Sequence, residues 1–326
     1  MTEKLTALVT GATGFVGSNL TSELVMQGYD VIAIGRKGEQ DISGLFSEKS
    51  SRSRLHYCSF HRIRWEYMPK FDILFHQAAI ADTRVMDKKL MNRINVTESR
   101  KLFGNAVNHG CKRIVYASST AVYGRSPAPH VECRSEAPIR PYDKSKFFLD
   151  EIAMDFAAKH PEVCVVGLRY CNVFGPGENH KGPMASMVYH LARQMQIKNP
   201  EIFRGGEQKR DWIYVDDAVR ANICAATNAK RSCVVNCGTG KAITFNEIVA
   251  ALNRTLRLNR KTKYIDMPER VARTFQTHTE CNMEKAGELI GFFPEISFEE
   301  GVRRYHQSGK LLAKPITPPT YQFQSP

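Results

Sequence analysis

The chain has no apolar run approaching the ~20 residues that a membrane-spanning helix needs, and its mean hydropathy is −0.36. No basic segment followed by an apolar stretch marks its start. Met1-Thr2-Glu3-Lys4 leads into a β-like run, so no targeting segment and a cytoplasmic location are expected. Cys-x-x-Cys pairs are absent. The nine cysteines (58, 111, 133, 164, 171, 224, 233, 237 and 281) are odd in number, and most sit in apolar runs. Zinc is therefore not expected, and reduced, buried thiols are. Acidic residues are scarce: 33 Asp and Glu against 46 Lys and Arg give a net charge of +13. The excess is spread out, with denser patches at 52–64 and 254–263, and neither patch interleaves aromatics as a nucleic-acid module does. No nucleic-acid partner is expected. An anionic small substrate in a basic cleft also explains such a charge.

What is present is a globular composition, 42% hydrophobic and 24% charged over 326 residues, the size of one large or two modest domains. Short β-branched runs at 5–10, 30–34, 54–59, 71–76, 113–118 and 163–170 alternate with helical patterns at 18–27, 88–108 and 142–159. That alternation predicts an α/β fold, a Rossmann-type doubly wound parallel sheet with crossover helices. Past Tyr170 the pattern changes. Residues 172–183 are rich in Gly and Pro, and helices are expected at 184–197, 216–227 and 244–256, the last with a Thr244/Glu247 cap. The expected division is a cofactor domain over 1–171, to which 211–240 returns. A smaller C-terminal substrate-binding lobe then comprises 172–210 and 241–309, and 310–326 is a loose tail.

The first strand runs into Gly11-Ala12-Thr13-Gly14-Phe15-Val16-Gly17 and a helix. Gly11 permits the sharp turn, Gly14 lets backbone approach a pyrophosphate, and Gly17 lets the helix pack on the strand. The helix start then offers free N–H groups to phosphate. About 20 residues on, an acid usually holds the ribose of NAD. None stands there: the sequence reads Gly35-Arg36-Lys37. Glycine gives room and Arg36 a fork of donors for a 2′-phosphate, which favours NADP over NAD, unless Arg36 and Lys37 are ordinary surface charges.

Ser118-Ser119 closes the fifth strand at the sheet's C-terminal edge, where ligands bind in such folds. Tyr142 and Lys146 are four apart, on one helix face. A free phenol, with pKa ~10, is a poor base. A nearby ammonium and an oxidised nicotinamide favour its phenolate, which then takes a hydroxyl proton as hydride leaves. Ser119 orients the substrate oxygen.

With these residues in place the chain resembles the extended short-chain dehydrogenase/reductase family. The resemblance also rests on His76-Gln77-Ala78-Ala79, Asn95-Val96, Thr120-Ala121-Val122-Tyr123-Gly124, Asn172-Val173-Phe174-Gly175-Pro176 and Arg210-Asp211-Trp212-Ile213-Tyr214-Val215-Asp216-Asp217, and runs from about residue 5 to 305. It implies a nucleotide-sugar substrate and a homo-oligomer. It also implies a dinucleotide held by Gly11, Thr13, Gly14, Phe15, Val16, Gly17, Arg36, Lys37, Gln77, Ala78, Ala79, Asn95, Tyr142, Lys146, Val173 and Lys181.

Two further absences narrow the chemistry. No Asp-Glu pair follows Ser119, as in the family's dehydratases, and no cysteine lies at 117–123, as in its 3,5-epimerase/reductases. The segments 179–191, 203–211 and 275–279 resemble the branch that inverts C6 of an ADP-activated heptose for lipopolysaccharide. That resemblance makes Lys181 a second acid/base beside Tyr142, Lys146 and Ser119. It places Ser119, Asn172, His190, Phe203, Arg204, Gly205, Gly206, Arg210 and Phe275 on the substrate. Lys181 as a diphosphate partner and His190 as an ordinary helix histidine remain open. Pro183 and Phe275 each lack a hydroxyl usual in that branch. The alternatives are another nucleotide-sugar epimerase or reductase, such as a UDP-hexose 4-epimerase, and a non-catalytic dinucleotide-binding module.

Overall fold

The computed structural model describes residues 4–35, 63–133, 136–272 and 275–315, and the backbone alone at 55–59 and 270. The strands of the main sheet are β1 (Thr6–Thr10), β2 (Asp30–Gly35), β3 (Leu55–Ser59), β4 (Ile73–His76), β5 (Arg113–Ser119), β6 (Cys164–Tyr170) and, after the second sheet begins, β10 (Cys233–Cys237). They lie in the order β10-β6-β5-β4-β1-β2-β3, and every pair is parallel. The chain starts near the middle of the sheet and winds outward both ways, so the C-terminal ends of β1, β4, β5 and β6 meet along one edge.

The strands are buried on both faces, with a period of two separating the layers. Ala7 and Val9 face a core completed by α1 (Phe15–Met26) and a later helix at Val215–Asn228. Leu8 faces the other core, with α3 (Glu98–Asn108) and α4 (Pro141–Lys159). A single helix was expected over 88–108. The structure has a short α2 (Lys88–Asn92), then a π turn at Arg93–Thr97, then α3. The wider turn carries Asn95, whose amide spans the Ile80 backbone (2.8 and 3.1 Å) and the Ser145 hydroxyl (3.0 Å).

Beyond β6 a second sheet forms from β7 (Asn172–Phe174), β9 (Lys209–Tyr214), β11 (Ala242–Thr244) and β13 (His278–Thr279). A two-stranded ribbon pairs β8 (Glu201–Phe203) with β12 (Lys263–Ile265). Around them lie α5 (Met187–Ile197), α6 (Val215–Asn228), α7 (Phe245–Leu256), α8 (Glu269–Ala272), α9 (Glu284–Ile290) and α10 (Phe298–Gln307). Thr244 and Glu247 form the expected capping box of α7. Phe174, Trp212, Tyr214, Phe298 and Tyr305 make this half's own core, and Phe15 from the start of α1 joins it.

Three differences from the sequence expectations have physical reasons. The return to the main sheet comes with α6 and β10, because β9 pairs within the second sheet. Residues 310–315 are docked: Leu311 is fully buried, and the Ala313 carbonyl accepts from Tyr189 Oη (2.7 Å) and Arg193 (2.9 Å). Cys171 and Cys281 are joined as a disulfide across 110 residues, which corrects the expectation of thiols throughout. Fold topology, not local spacing, brings the end of β6 to the segment after β13. Among the described residues six cysteines are free, and Cys133 is exposed.

Candidate active site

The glycine turn fits the close approach of a pyrophosphate. Gly11 has φ +70°, and a Cβ there would lie 2.8 Å from the Ala78 nitrogen. A Cβ on Gly17 would overlap the Gly11 carbonyl oxygen. Gly14 stands at the N-terminus of α1, whose start has no side-chain cap and whose first turn holds no acid, an arrangement that suits an anion. Thr13 presses on Gly35, where any side chain would collide with the Thr13 methyl and hydroxyl. This is a packing reason for Gly35 besides room for a 2′-phosphate. Arg36 and Lys37 lie outside the described residues.

Beside the turn, Gln77 is locked in place. Its amide donates to Asn222 Oδ1 (2.9 Å) and accepts from Tyr170 Oη (3.0 Å), and Asn222 closes the triangle onto Tyr170 (2.6 Å). Gln77 thus holds the strand end while the Ala78 backbone lies against Gly11 of the turn. Asn95 is committed in the same way to the 80-loop and α4.

Tyr142 and Lys146 share one face of α4, as their spacing predicts. Lys146 is buried, donates to the Ala117 carbonyl (2.7 Å), and lies 6.0 Å from the Tyr142 ring centroid. Burial pushes its ammonium down to about 8, against the pull of Asp150 one turn further on. Burial also raises the Tyr142 phenol above its ordinary value. The nearby Ser119 hydroxyl opposes this, Asp143 adds to it, and Arg140 opposes it. In the protein by itself desolvation outweighs these influences and favours the protonated phenol, and the expected phenolate needs the oxidised nicotinamide as well as the ammonium.

Sequence reasoning missed the ionic floor under this pair. Asp150 accepts from Tyr116 Oη (3.0 Å) and Arg169 Nε (2.9 Å), and Arg169 also reaches Tyr123 Oη (3.0 Å) and Glu136. Two signals were available: Asp150 lies four residues after Lys146, and Arg169 interrupts an apolar strand, which requires a buried partner.

The second sheet brings most of the remaining candidates alongside. Lys181 lies in the 3₁₀ turn Glu178–Met184, with its Nζ 5.3 Å from the Phe15 ring centroid at the start of α1. Burial lowers its ammonium, and Glu178 opposes this. His190, on α5, is lowered by burial, and the Lys181 and Arg193 charges also face it. Asn172 donates to the Asp211 carbonyl (3.1 Å), which ties β7 to β9, and Val173 pairs with Ile213 beside it. Phe203 meets Phe275 edge-on at 5.7 Å, and the Arg210 guanidinium lies 4.8 Å from the Phe275 ring centroid. Gly205 and Gly206, both at positive φ, turn the chain after Phe203. Burial, then the Arg140 charge, pushes Arg210 down to about 10, and among the described residues no carboxylate pairs with it. A half-buried guanidinium without an acid is suited to an anion. Arg204 is not brought in: its side chain is exposed and pairs with Asp266 (2.8 Å).

A parallel sheet with a glycine turn, a Tyr–Lys pair at its C-terminal edge and an anion site across from it defines a dinucleotide-dependent enzyme of sugar-nucleotide type. The chain belongs to the NAD dependent epimerase/dehydratase family, whose model matches residues 7–238. It is 32% identical over 311 residues to an ADP-L-glycero-D-manno-heptose-6-epimerase of Brachyspira hyodysenteriae, covering 91% of this chain and 96% of that one. The Helicobacter pylori ADP-L-glycero-D-manno-heptose-6-epimerase structure is 31% identical over 94% of this chain and 96% of that one, with a TM-score of 0.80. A UDP-N-acetylglucosamine 4-epimerase from Methanobrevibacter ruminantium M1 is 27% identical over 94% and 98%, with a TM-score of 0.83. Among the described residues no helix is long and apolar enough to cross a membrane.

Proposed function

We propose that the protein is a nucleotide-sugar epimerase, an isomerase that inverts C6 of an ADP-glycero-manno-heptose for lipopolysaccharide core synthesis. The observation that carries this reading is the loop of Lys181. It reaches back to Phe15 at the start of the cofactor helix, so a second titratable group besides Tyr142 serves the cofactor end. The heptose epimerases named above support the same reading.

A nicotinamide dinucleotide bound at the glycine turn supplies reversible acceptance of a hydride from a carbon that bears a hydroxyl. The protein's part is protonic and positional. Ser119 and Tyr142 hold the substrate hydroxyl, and Tyr142 takes or returns its proton. Lys146, beneath them, carries the charge that steadies the phenolate once the site is filled. Inversion needs the ketone to present its other face, where its oxygen occupies a different place, and Lys181 serves the proton there. Arg210, stacked on Phe275, holds the diphosphate with its free donors. In this reading the main sheet carries the cofactor, while 172–210 and 241–309 hold the sugar nucleotide. The missing acid after β2 makes NADP the cofactor, and the enzyme is a cytoplasmic homo-oligomer.

A proton NMR time course in heavy water tests this, with ADP-D-glycero-D-manno-heptose, purified protein and no added cofactor. Inversion at C6 without deuterium gain is expected. Tyr142→Phe with Lys181→Met is expected to abolish turnover while bound cofactor remains, and full turnover in that double variant would sink the two-base assignment. No inversion by protein shown to carry its dinucleotide would move the substrate to another nucleotide sugar, such as that of the structurally similar 4-epimerase.

A further inference from the structure

Between Gly175 and Ser186 the chain must leave the second sheet, cross to the start of α1 and return to begin α5. Two positive-φ glycines, Gly177 and Gly182, bracket the turn that carries Lys181. Such a segment has few internal bonds of its own. What closes it is a single carboxylate. Glu178 is fully buried. It accepts from the Gly175 nitrogen (3.2 Å) at one end of the loop, and from the Ser186 nitrogen and hydroxyl (2.9 Å for the hydroxyl) at the other. Ser186 in turn caps α5 through Tyr189. Outer contacts hold the loop from behind: Asn19 donates to the Pro176 carbonyl (3.0 Å), and Asn179 to the Lys314 carbonyl (3.3 Å).

We propose that Glu178 is the positioning residue for Lys181: its buried charge closes the loop over the cofactor turn and balances the ammonium that the loop delivers there. This rests on Lys181 being the second acid/base. The groups that face this pair can be named. From α1 comes only the Phe15 ring. From α5 comes His190, facing Lys181 and the Arg193 charge. From α10 comes Tyr305, whose buried hydroxyl has no hydrogen-bond partner and feels the Glu178 charge. Glu178 is the one anion among them, and no other carboxylate on the described residues bears on Lys181. A carboxylate buried without a cation is costly, and so is an ammonium without an anion. Burial raises the Glu178 carboxyl and lowers the Lys181 ammonium, and each charge opposes the other's shift, while the loop geometry fixes where the ammonium stands. Apolar packing could close a loop equally well, but it would leave the lysine proton too weakly held to be returned to a substrate oxygen.

The test is the pH profile of kcat for the full-length enzyme with its bound cofactor, in wild type, Glu178→Gln and Glu178→Asp. Glu178→Gln keeps the shape and removes the charge. One limb of the profile is expected to move acidward by about one to two pH units, as loss of a neighbouring opposite charge dictates, while the other limb stays. Glu178→Asp retracts the charge without removing it. It is expected to lower kcat with the limb near its wild-type place, and it decides the matter if the glutamine variant does not fold. Limbs unmoved in Glu178→Gln, or a rise in KM alone in Glu178→Asp, would overturn the proposal. Lys181→Met separates this from the function itself: wild-type turnover in that variant removes the second base, whereas a dead Lys181→Met beside an unshifted Glu178→Gln leaves the function standing and Glu178 as loop filling only.

Discussion

His76 offers the most direct physical test of how the cofactor end is built. It closes β4 just before Gln77, and its ring is held between Thr10 Oγ1 (2.7 Å) and Ser99 Oγ (2.8 Å), with Phe103 edge-on at 6.0 Å. Burial, and then the charge of Lys146, hold its pKa at about 3, whereas in the unfolded chain it returns to about 6.5. The folded value lies below the unfolded one, so below pH 6.5 the unfolded state binds the extra proton. Stability is therefore present above that pH and falls as acid is added, down to about pH 3. At ~1.36 kcal/mol per unit, the loss between pH 7 and pH 5 is about 2 kcal/mol. Asp150, Asp211 and Glu178 act with the opposite sign, because burial raises each of them in the fold and protonation then favours the folded state. The total pH profile is thus not diagnostic, and a difference is. Urea unfolding at pH 7.0 and 5.0 is expected to show wild type losing about 2 kcal/mol more than His76→Gln, which can still donate and accept between the two hydroxyls. Equal losses in the two proteins would refute the assignment of a neutral, buried imidazole.

Two further outcomes bear on the binding sites. Gly17→Ala places a methyl against the Gly11 carbonyl oxygen; it should purify without its dinucleotide, seen in the released nucleotide content, at a cost of about 1–3 kcal/mol in unfolding free energy. Arg210→Lys keeps the charge and loses the fork over Phe275; KM for the sugar nucleotide is expected to rise roughly tenfold, the equivalent of ~1.4 kcal/mol, with kcat within a few-fold, and an equal fall in kcat would place Arg210 in the chemistry instead.

The main sheet was legible because its signals are local. Each strand is a short β-branched run, α1 and α3 stop at Gly28 and Gly110 with φ +92° and +89°, α4 stops before Pro161, and the glycine turn is contiguous. The Tyr142–Lys146 pair was legible because four residues make one helical turn. What escaped the sequence is long-range or depends on charge balance. Nothing near Cys171 announces Cys281, and nothing near Gln77 announces Tyr170 and Asn222, which are 93 and 145 residues away. The π turn around Asn95 escaped because no Gly or Pro interrupts residues 88–103 to mark a change of helical pitch. The dryness around Tyr142 escaped for a different reason. Spacing locates an ammonium near a phenol, but it does not say which way Nζ turns or how dry the pocket is.

The excess of positive charge acquires a local meaning once the site is assembled. Lys146, Lys181 and Arg210 come from three separate elements, and in the protein alone burial lowers all three. Each is a cation kept partly out of water with less negative charge than it can use. The nearest acids, Asp150 and Glu178, are already divided: the first is shared with Arg169, and the second holds a loop. A nucleotide sugar and a dinucleotide both bring diphosphates, so their arrival supplies what the fold withholds, and part of the binding free energy is the relief of that deficit. The scarcity of acids that is visible in the composition thus has a counterpart at the site. A carboxylate placed opposite Arg210 would steady the empty protein, and would also compete with the diphosphate for the guanidinium.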